Sequence, residues 1–239
     1  YERDSSTIEE SIQLLRFGFD LGITLVDVAE LYGEGLTEEI LGKAMAGRPR
    51  EKIFVISKVW KEHLRFNDVL RAAEGSLKRL NTPYIDLYLV HWPNAAIPLK
   101  ETMEAMETLL EQGLVRHIGV SNFSVPLMKE AQSYVSHTKL FANQIEYNLA
   151  ERVAEQDVIP FCKAEHIHVI AYRPLGKGVL TSSTNETLLL LSKKYKKTPA
   201  QVALNWIMEK GITAIPKAGN REHLTENVEA TKWHLSPED

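Results

Sequence analysis

One cysteine, Cys162, is all that the 239 residues contain. No disulfide can form within the chain, so a cross-linked secreted scaffold is excluded and a reducing, cytoplasmic setting is expected. Neither sign of charge dominates: 28 Lys and Arg stand against 32 Asp and Glu, a net charge of −4. That balance speaks against nucleic acid or an anionic membrane as partner. No run approaches the ~18 apolar residues a membrane helix needs, and no signal peptide is visible. Linkers, low-complexity tracts and charge blocks that would divide the chain are missing as well. With 44% hydrophobic and 25% charged residues the composition is that of an ordinary globular protein, and barrels of this length are routinely one domain.

What is present is an alternation of two patterns. Residues 5–19 read as an amphipathic helix. Ser6 and Glu9 have capping-box spacing, Ile8, Ile12, Leu15 and Phe19 recur along the chain at helical intervals, and Gly22 is placed to end the helix. Seven short apolar runs follow: ITLVDV (23–28), KIFVIS (52–57), YIDLYLV (84–90), VRHIGV (115–120), LFANQIEY (140–147), HVIAYR (168–173) and ITAIPK (212–217). Helical patterns lie between them, such as 67–80 with Val69, Ala73, Leu77 and Leu80, and 199–210 opening on Pro199. Strands alternating with helices imply crossover units and a parallel sheet.

Two architectures compete. An open doubly wound sheet that binds a dinucleotide carries G-x-G-x-x-G at its first strand–helix turn. GEGLTE (33–38) supplies only G-x-G, with Asp27 and Tyr32 intervening, and is better read as a turn. The repeats fit a (β/α)8 parallel barrel, the TIM barrel, more closely. A barrel needs eight strands, and this chain opens on a helix. The expectation is therefore a single (β/α)8-barrel catalytic domain over residues 1–239. The first strand would lie upstream of Tyr1, and the C-terminal tail would be absent.

Polar or aromatic residues recur where the apolar runs stop. Asp27 follows the first run, Lys58 the second and His91 the third; Ser121 and Asn122 follow the fourth. Gln144 lies in the fifth, Tyr172 near the end of the sixth, and Lys217 ends the seventh. In a barrel these ends converge on the face where active sites are built. Any one alone is adequately explained as a cap or loop residue; the whole series is not. Asp27, Tyr32, Lys58 and His91 suggest a chemistry. A tyrosine is a weak acid at neutral pH, a nearby ammonium favours its phenolate, an Asp keeps that Lys charged, and an imidazole can hold a substrate oxygen in line.

The segments DVAELYG, ISKVW, LVHWP, GVSNF and AYRPLG are, in order and spacing, similar to the motifs of the aldo-keto reductase family, over nearly the whole chain. The resemblance implies a barrel that reduces aldehydes or ketones to alcohols with hydride from a nicotinamide. Asp27, Tyr32, Lys58 and His91 would form the catalytic tetrad, with Tyr32 as general acid. It further implies that Ser121, Asn122 and Gln144 bind the carboxamide and that Tyr172 stacks on the ring. Arg173 and Leu175 would lie along the cofactor, Arg173 putting a charge at the pyrophosphate where a serine is common. IPKAGNREHLTEN (215–227) resembles the adenosine-phosphate segment. There Lys217 would pair with a 2′-phosphate, Asn220, Arg221 and His223 would belong to the same loop, and Glu226 and Asn227 would contact adenine. Ala218 replaces a frequent serine and His223 a frequent arginine, so NADP(H) is favoured and NAD(H) remains possible.

Other signals carry less. HIH (166–168) has the look of a metal site but opens a strand, on the face away from the active site, so no metal is expected. His117 lies inside a strand and is expected to be a packed core residue. Lys58 with Asp27 could suit a Schiff-base aldolase, which leaves Tyr32, Gln144 and Tyr172 unexplained. Trp60 and Trp92, directly after Lys58 and His91, could line a substrate pocket. KKYKK (193–197) reads as the solvated end of a helix, and GKGVLTSS (176–183) as too short for a long belt over a cofactor. The expected protein is an NADPH-dependent carbonyl reductase with a small-molecule substrate, monomeric or weakly oligomeric. The alternative is a regulatory subunit that senses the nicotinamide cofactor with little turnover.

Overall fold

The computed structural model describes residues 5–181 and 185–239. The reading of GKGVLTSS reaches residues 182 and 183 and lies in part outside the described residues. Among those residues seven strands follow one another through one sheet in chain order, with the first and last strands at its two ends. The chain divides into two compact units, one ending at Asn143 and one running from Gln144 to Asp239.

The first unit opens with helix α1 (Ser5–Asp20), followed by β1 (Leu25–Asp27), α2 (Leu36–Met45), β2 (Phe54–Val59), α3 (Phe66–Leu80), β3 (Ile85–Val90), α4 (Leu99–Glu111), β4 (Val115–Ser121) and α5 (Val125–Ser133). Neighbouring strands are parallel, with Asp27 beside Ile56, Ser57 beside Tyr88 and Val90 beside Val120. Every residue of β3 is buried, because both faces of a parallel sheet are covered; its one charged residue, Asp86, is paired there with Arg50 at 2.7 Å. On the helical side, Ile12 of α1 packs with Leu36, Ile40 and Ala44 of α2, bearing out the apolar stripe of residues 5–19. Helix α2 also crosses close to the end of α3. A Cβ at Gly42 would lie 2.7 Å from the Leu80 carbonyl oxygen, a contact only glycine permits.

The fifth strand, β5 (Ala142–Glu146), straddles the boundary between the units. The second unit continues with α6 (Val158–Ala164), β6 (His168–Tyr172), α7 (Glu186–Tyr195), α8 (Pro199–Glu209), β7 (Thr213–Ala214) and α9 (Arg221–Glu229). Strands β6 and β7 are parallel. Helix α8 begins where Pro199 indicated, behind a capping box in which Thr198 and Gln201 exchange side-chain and backbone hydrogen bonds. It contributes Val202 and Ala203 to a cluster with Leu180, Leu188 and Leu235.

One reading is corrected. His117 lies in β4, but it and Arg116 are exposed. Its imidazole stacks on Phe141 with centroids 4.1 Å apart, instead of entering the core. Both residues sit in the first three positions of the strand, before the buried stretch from Ile118 begins.

Candidate active site

Strand polarity places the site. In the first unit Asp27 ends β1, Lys58 is the penultimate residue of β2, His91 directly follows β3, and Ser121 ends β4. Because the strands are parallel and nearly in register, these positions lie at one end of the sheet. Lys58 is fully buried. An ammonium has three N–H donors, and each finds an acceptor: Asp27 Oδ2 at 2.6 Å, the Val28 carbonyl at 3.0 Å and the Tyr32 hydroxyl oxygen at 3.3 Å. Burial pulls the Lys58 ammonium below its ordinary range, while the Asp27 carboxylate, by its charge and its hydrogen bond, pulls it back. The acid of DVAELYG that ends the half-buried β1 thus has its counter-charge.

His91 approaches the same phenol. Its Nε2 is 3.4 Å from the Tyr32 hydroxyl, and the two rings meet edge to face with centroids 5.4 Å apart. Burial, then the Lys58 charge, lowers its pKa to about 3, so the imidazole is neutral at physiological pH. Among the described residues its Nδ1 is buried without a hydrogen-bond partner. An orphan N–H there would forfeit a strong donor. The cheaper tautomer carries its proton on Nε2 and directs that N–H toward Tyr32. The phenol oxygen then faces two donors, Lys58 and His91. Its own O–H is the bond neither of them takes up.

Around this centre the Trp60 indole stands edge-on to His91, centroids 5.2 Å apart. Trp92 is exposed. Asn122 adopts a left-handed backbone, φ 63°. Its Nδ2 donates to the His91 carbonyl at 3.2 Å and to the Ser121 hydroxyl at 3.0 Å, which assigns Oδ1 as the acceptor end of the amide. Sequence reading passed over two residues here. Glu30 Oε1 accepts from the Trp60 backbone N–H at 2.6 Å and lies 3.0 Å from His63 Nδ1. Asn94 Nδ2 donates to the Lys61 carbonyl at 2.8 Å. Neither sits at a strand end, and no spacing signalled them.

The second unit holds the remaining candidates. Gln144 is buried in β5, and Tyr172 ends β6. Arg173 follows in a left-handed conformation, φ 50°, with its guanidinium on Glu146 Oε2 at 2.8 Å. Leu175 packs against the Leu180 and Leu188 cluster. Lys217, Arg221 and His223 are exposed around the start of α9. Asn220 is the N-cap of that helix, its Oδ1 accepting from the His223 N–H at 2.8 Å. Glu226 accepts through its carbonyl from Gln201 at 3.2 Å, and Asn227 is half-buried beside it. His166 and His168 are exposed, and among the described residues no three His, Cys, Asp or Glu side chains are gathered to hold a metal ion.

The family model described as the aldo/keto reductase family matches residues 2–239. Methylglyoxal reductase YeaE of Escherichia coli K12 is 37% identical over 237 residues, covering 98% of this chain and 83% of that protein. Glyoxal reductase of Bacillus subtilis is 35% identical over 236 residues, covering 96% and 81%. Among solved structures, a thermostable aldo-keto reductase in complex with the inhibitor epalrestat has a TM-score of 0.94 at 46% identity, covering 98% of this chain and 86% of that one. An aldo/keto reductase from Klebsiella pneumoniae in complex with NADP and acetate has a TM-score of 0.90 at 36% identity, covering 98% and 84%. These likenesses bear out the parallel α/β barrel class, here with seven strands among the described residues. By its motifs, its strands and its relatives, this chain belongs to the aldo/keto reductase family.

Proposed function

We propose that the protein is an NADPH-dependent oxidoreductase that reduces aldehydes and ketones to alcohols, with Tyr32 as the general acid. The observation that carries this reading is the phenol oxygen of Tyr32 between Lys58 Nζ at 3.3 Å and His91 Nε2 at 3.4 Å. Tyr32 gives its proton to the substrate oxygen as hydride reaches the carbonyl carbon. The Lys58 ammonium stabilises the phenolate left behind, and the Asp27 carboxylate and Val28 carbonyl hold that ammonium in place. His91, neutral and carrying its proton on Nε2, orients the carbonyl oxygen rather than supplying the proton. Trp60 and Trp92 form walls of the substrate pocket.

The donor set suits a nicotinamide dinucleotide phosphate, whose nicotinamide supplies the hydride when bound. Ser121 and Asn122 in the first unit, and Gln144 in the second, have the hydroxyl and amide groups that a carboxamide requires, and Tyr172 a ring that can stack on it. Lys217 and Arg221 put cations at the start of a nine-residue helix, where backbone N–H groups favour a phosphate. Glu226 and Asn227 are assigned to adenine, and Asn220 and His223 to shaping the phosphate loop. Leu175 would lie along the cofactor, as would Arg173, with Glu146, 2.8 Å from its guanidinium, tempering its charge. The Klebsiella relatives crystallised with NADP and with NADPH support NADP(H) over NAD(H). The methylglyoxal and glyoxal reductases make small aldehydes the first substrates to assay. The single cysteine, buried with its thiol pushed up to about 11 by that burial, suits a reducing cytoplasm.

Tyr32→Phe tests the assignment. It should leave melting temperature and NADPH titration nearly unchanged while lowering kcat on methylglyoxal by about 10²–10⁴, the loss of a positioned general acid. Near-full turnover in that variant overturns the mechanism.

A further inference from the structure

The turn after β2 carries Trp60, and Glu30 closes that turn from outside it. Glu30 Oε1 accepts from the Trp60 N–H at 2.6 Å and faces His63 Nδ1 at 3.0 Å, while the Trp60 carbonyl accepts from the His63 N–H at 2.9 Å. Both ends of residues 60–63 are therefore gathered on one carboxylate. The middle of the turn is held by a second residue. Asn94, in the loop after β3, donates to the Lys61 carbonyl at 2.8 Å and accepts from the Ala96 N–H at 3.0 Å. The Glu30 side chain is 12% exposed, against 53% for His63, so its bond to Trp60 is largely shielded from water. A charge-assisted N–H to carboxylate bond in such a place is strong and directional.

The object being held matters. Trp60 stands edge-on to His91, and His91 to Tyr32. The backbone atom that Glu30 grips is the amide of Trp60 itself, so a shift there moves the indole against the imidazole. We propose that Glu30, together with Asn94, is a positioning residue that sets how near the Trp60 wall stands to His91 and thereby makes the pocket select small carbonyl compounds. This deepens the oxidoreductase reading and rests on it. Neither residue touches the reacting atoms. Their effect falls on KM and on the choice between substrates.

The experiment measures kcat and KM with NADPH for methylglyoxal and for 4-nitrobenzaldehyde, together with melting temperature. The variants are Glu30→Ala, Glu30→Gln, Asn94→Ala and Arg65→Ala. In Glu30→Ala the KM for methylglyoxal should rise about fivefold or more with kcat within about twofold, because uniform binding is lost while the chemical step is not. The ratio of kcat/KM should move toward the aromatic aldehyde. Glu30→Gln keeps an acceptor for the Trp60 N–H and should restore most of the parental selectivity. Asn94→Ala should shift the ratio in the same direction. Arg65→Ala unties Arg65, later in the same loop, from Glu101 of α4 (2.8 Å) and should leave the ratio unmoved. An unchanged ratio in Glu30→Ala, or an equal shift in Arg65→Ala, overturns the proposal. So does a fall in kcat at constant KM. If Glu30→Ala does not fold, Asn94→Ala decides. If the parent reduces neither aldehyde, the oxidoreductase reading fails; if it reduces them and only the ratio stays fixed, the positioning role alone fails.

Discussion

Replacing Lys58 by methionine asks the buried ion pair to declare itself in both stability and rate. The side chain is fully buried and its ammonium sits 2.6 Å from Asp27 Oδ2. At an effective dielectric of about 20, opposite charges at that separation attract by about 6 kcal/mol before desolvation. Removing one partner of a buried pair costs about 3–5 kcal/mol, because the other is left charged where water reaches it poorly. Asp27 is 12% exposed, so the lower end of that range, about 3 kcal/mol, is the expected loss for Lys58→Met in urea unfolding at pH 7. In Asp27→Asn/Lys58→Met the stranded charge is gone, and most of that loss should return. Turnover should not. Both variants lack the cation that stabilises a Tyr32 phenolate, and kcat on methylglyoxal should stay about 10²–10⁴ below the parent. NADPH titration of each variant separates lost binding from lost chemistry. A double variant no more stable than the single would show that the stranded carboxylate is not what Lys58→Met suffers from. A double variant turning over near the parental rate would refute the role of the ammonium altogether.

Lys217→Ala removes a charge-assisted phosphate contact of about 1.5–3 kcal/mol and should weaken NADPH binding about tenfold to a hundredfold. NADH binding, measured by the same fluorescence titration, should hardly change, and equal losses for both would reject the 2′-phosphate assignment. His91 gives a pH dependence of definite sign. Its folded-state pKa is lowered to about 3, so between about 6.5 and about 3 the unfolded chain binds a proton that the folded one refuses, and stability falls with pH by about 1.4 kcal/mol per unit. Relative to His91→Gln, the parent should lose about 2 kcal/mol between pH 7 and pH 5 in parallel denaturant titrations; parallel curves would mean that His91 is not held neutral.

Which parts of this were legible in the sequence follows from which forces act locally. Strands β2, β3 and β4 announce themselves because buried residues fill most of each strand and most of those are apolar. The outer strands were over-read. ITLVDV and ITAIPK each suggested six residues, but β1 keeps three and β7 two. A strand at the end of a sheet order has a ladder on one side only, so apolar residues flanking it pack without completing hydrogen-bonded pairs. Asp27, Lys58 and His91 were legible because parallel strands must deliver their ends to one place. Their supports were not. The third acceptor of Lys58 is a backbone carbonyl, that of Val28, and no residue type announces a carbonyl. Glu30, Asn94 and the left-handed Asn122 act across loops whose paths depend on packing. His117 failed for a related reason: an apolar run cannot say at which residue the buried stretch begins.

Three tyrosines show how the pleat of the sheet assigns the acid. Tyr88 lies beside Ser57 in register, and Ser57 donates to the buried Glu38 carboxylate at 2.6 Å, which also holds Arg79 at 2.7 Å. Burial, then the Glu30 and Glu38 charges, pushes Tyr88 well above the ordinary phenol range. Tyr147 is raised likewise by burial and by its hydrogen bond to Glu155 at 2.5 Å. Both are fully buried, and each keeps its proton first because burial disfavours the anion and then because carboxylates stand nearby. Tyr32 is approached instead by an ammonium and an imidazole N–H. The difference traces to one step along β2. Successive side chains point to opposite faces, so Ser57 turns toward the carboxylate of α2 and Lys58 toward Asp27 and Tyr32. A register slip of one residue would exchange those faces, putting the cation beside Glu38 and leaving Tyr32 with no charge to stabilise its anion. In the proposed mechanism the proton donor is therefore selected by the alternation of a strand before any catalytic side chain is considered.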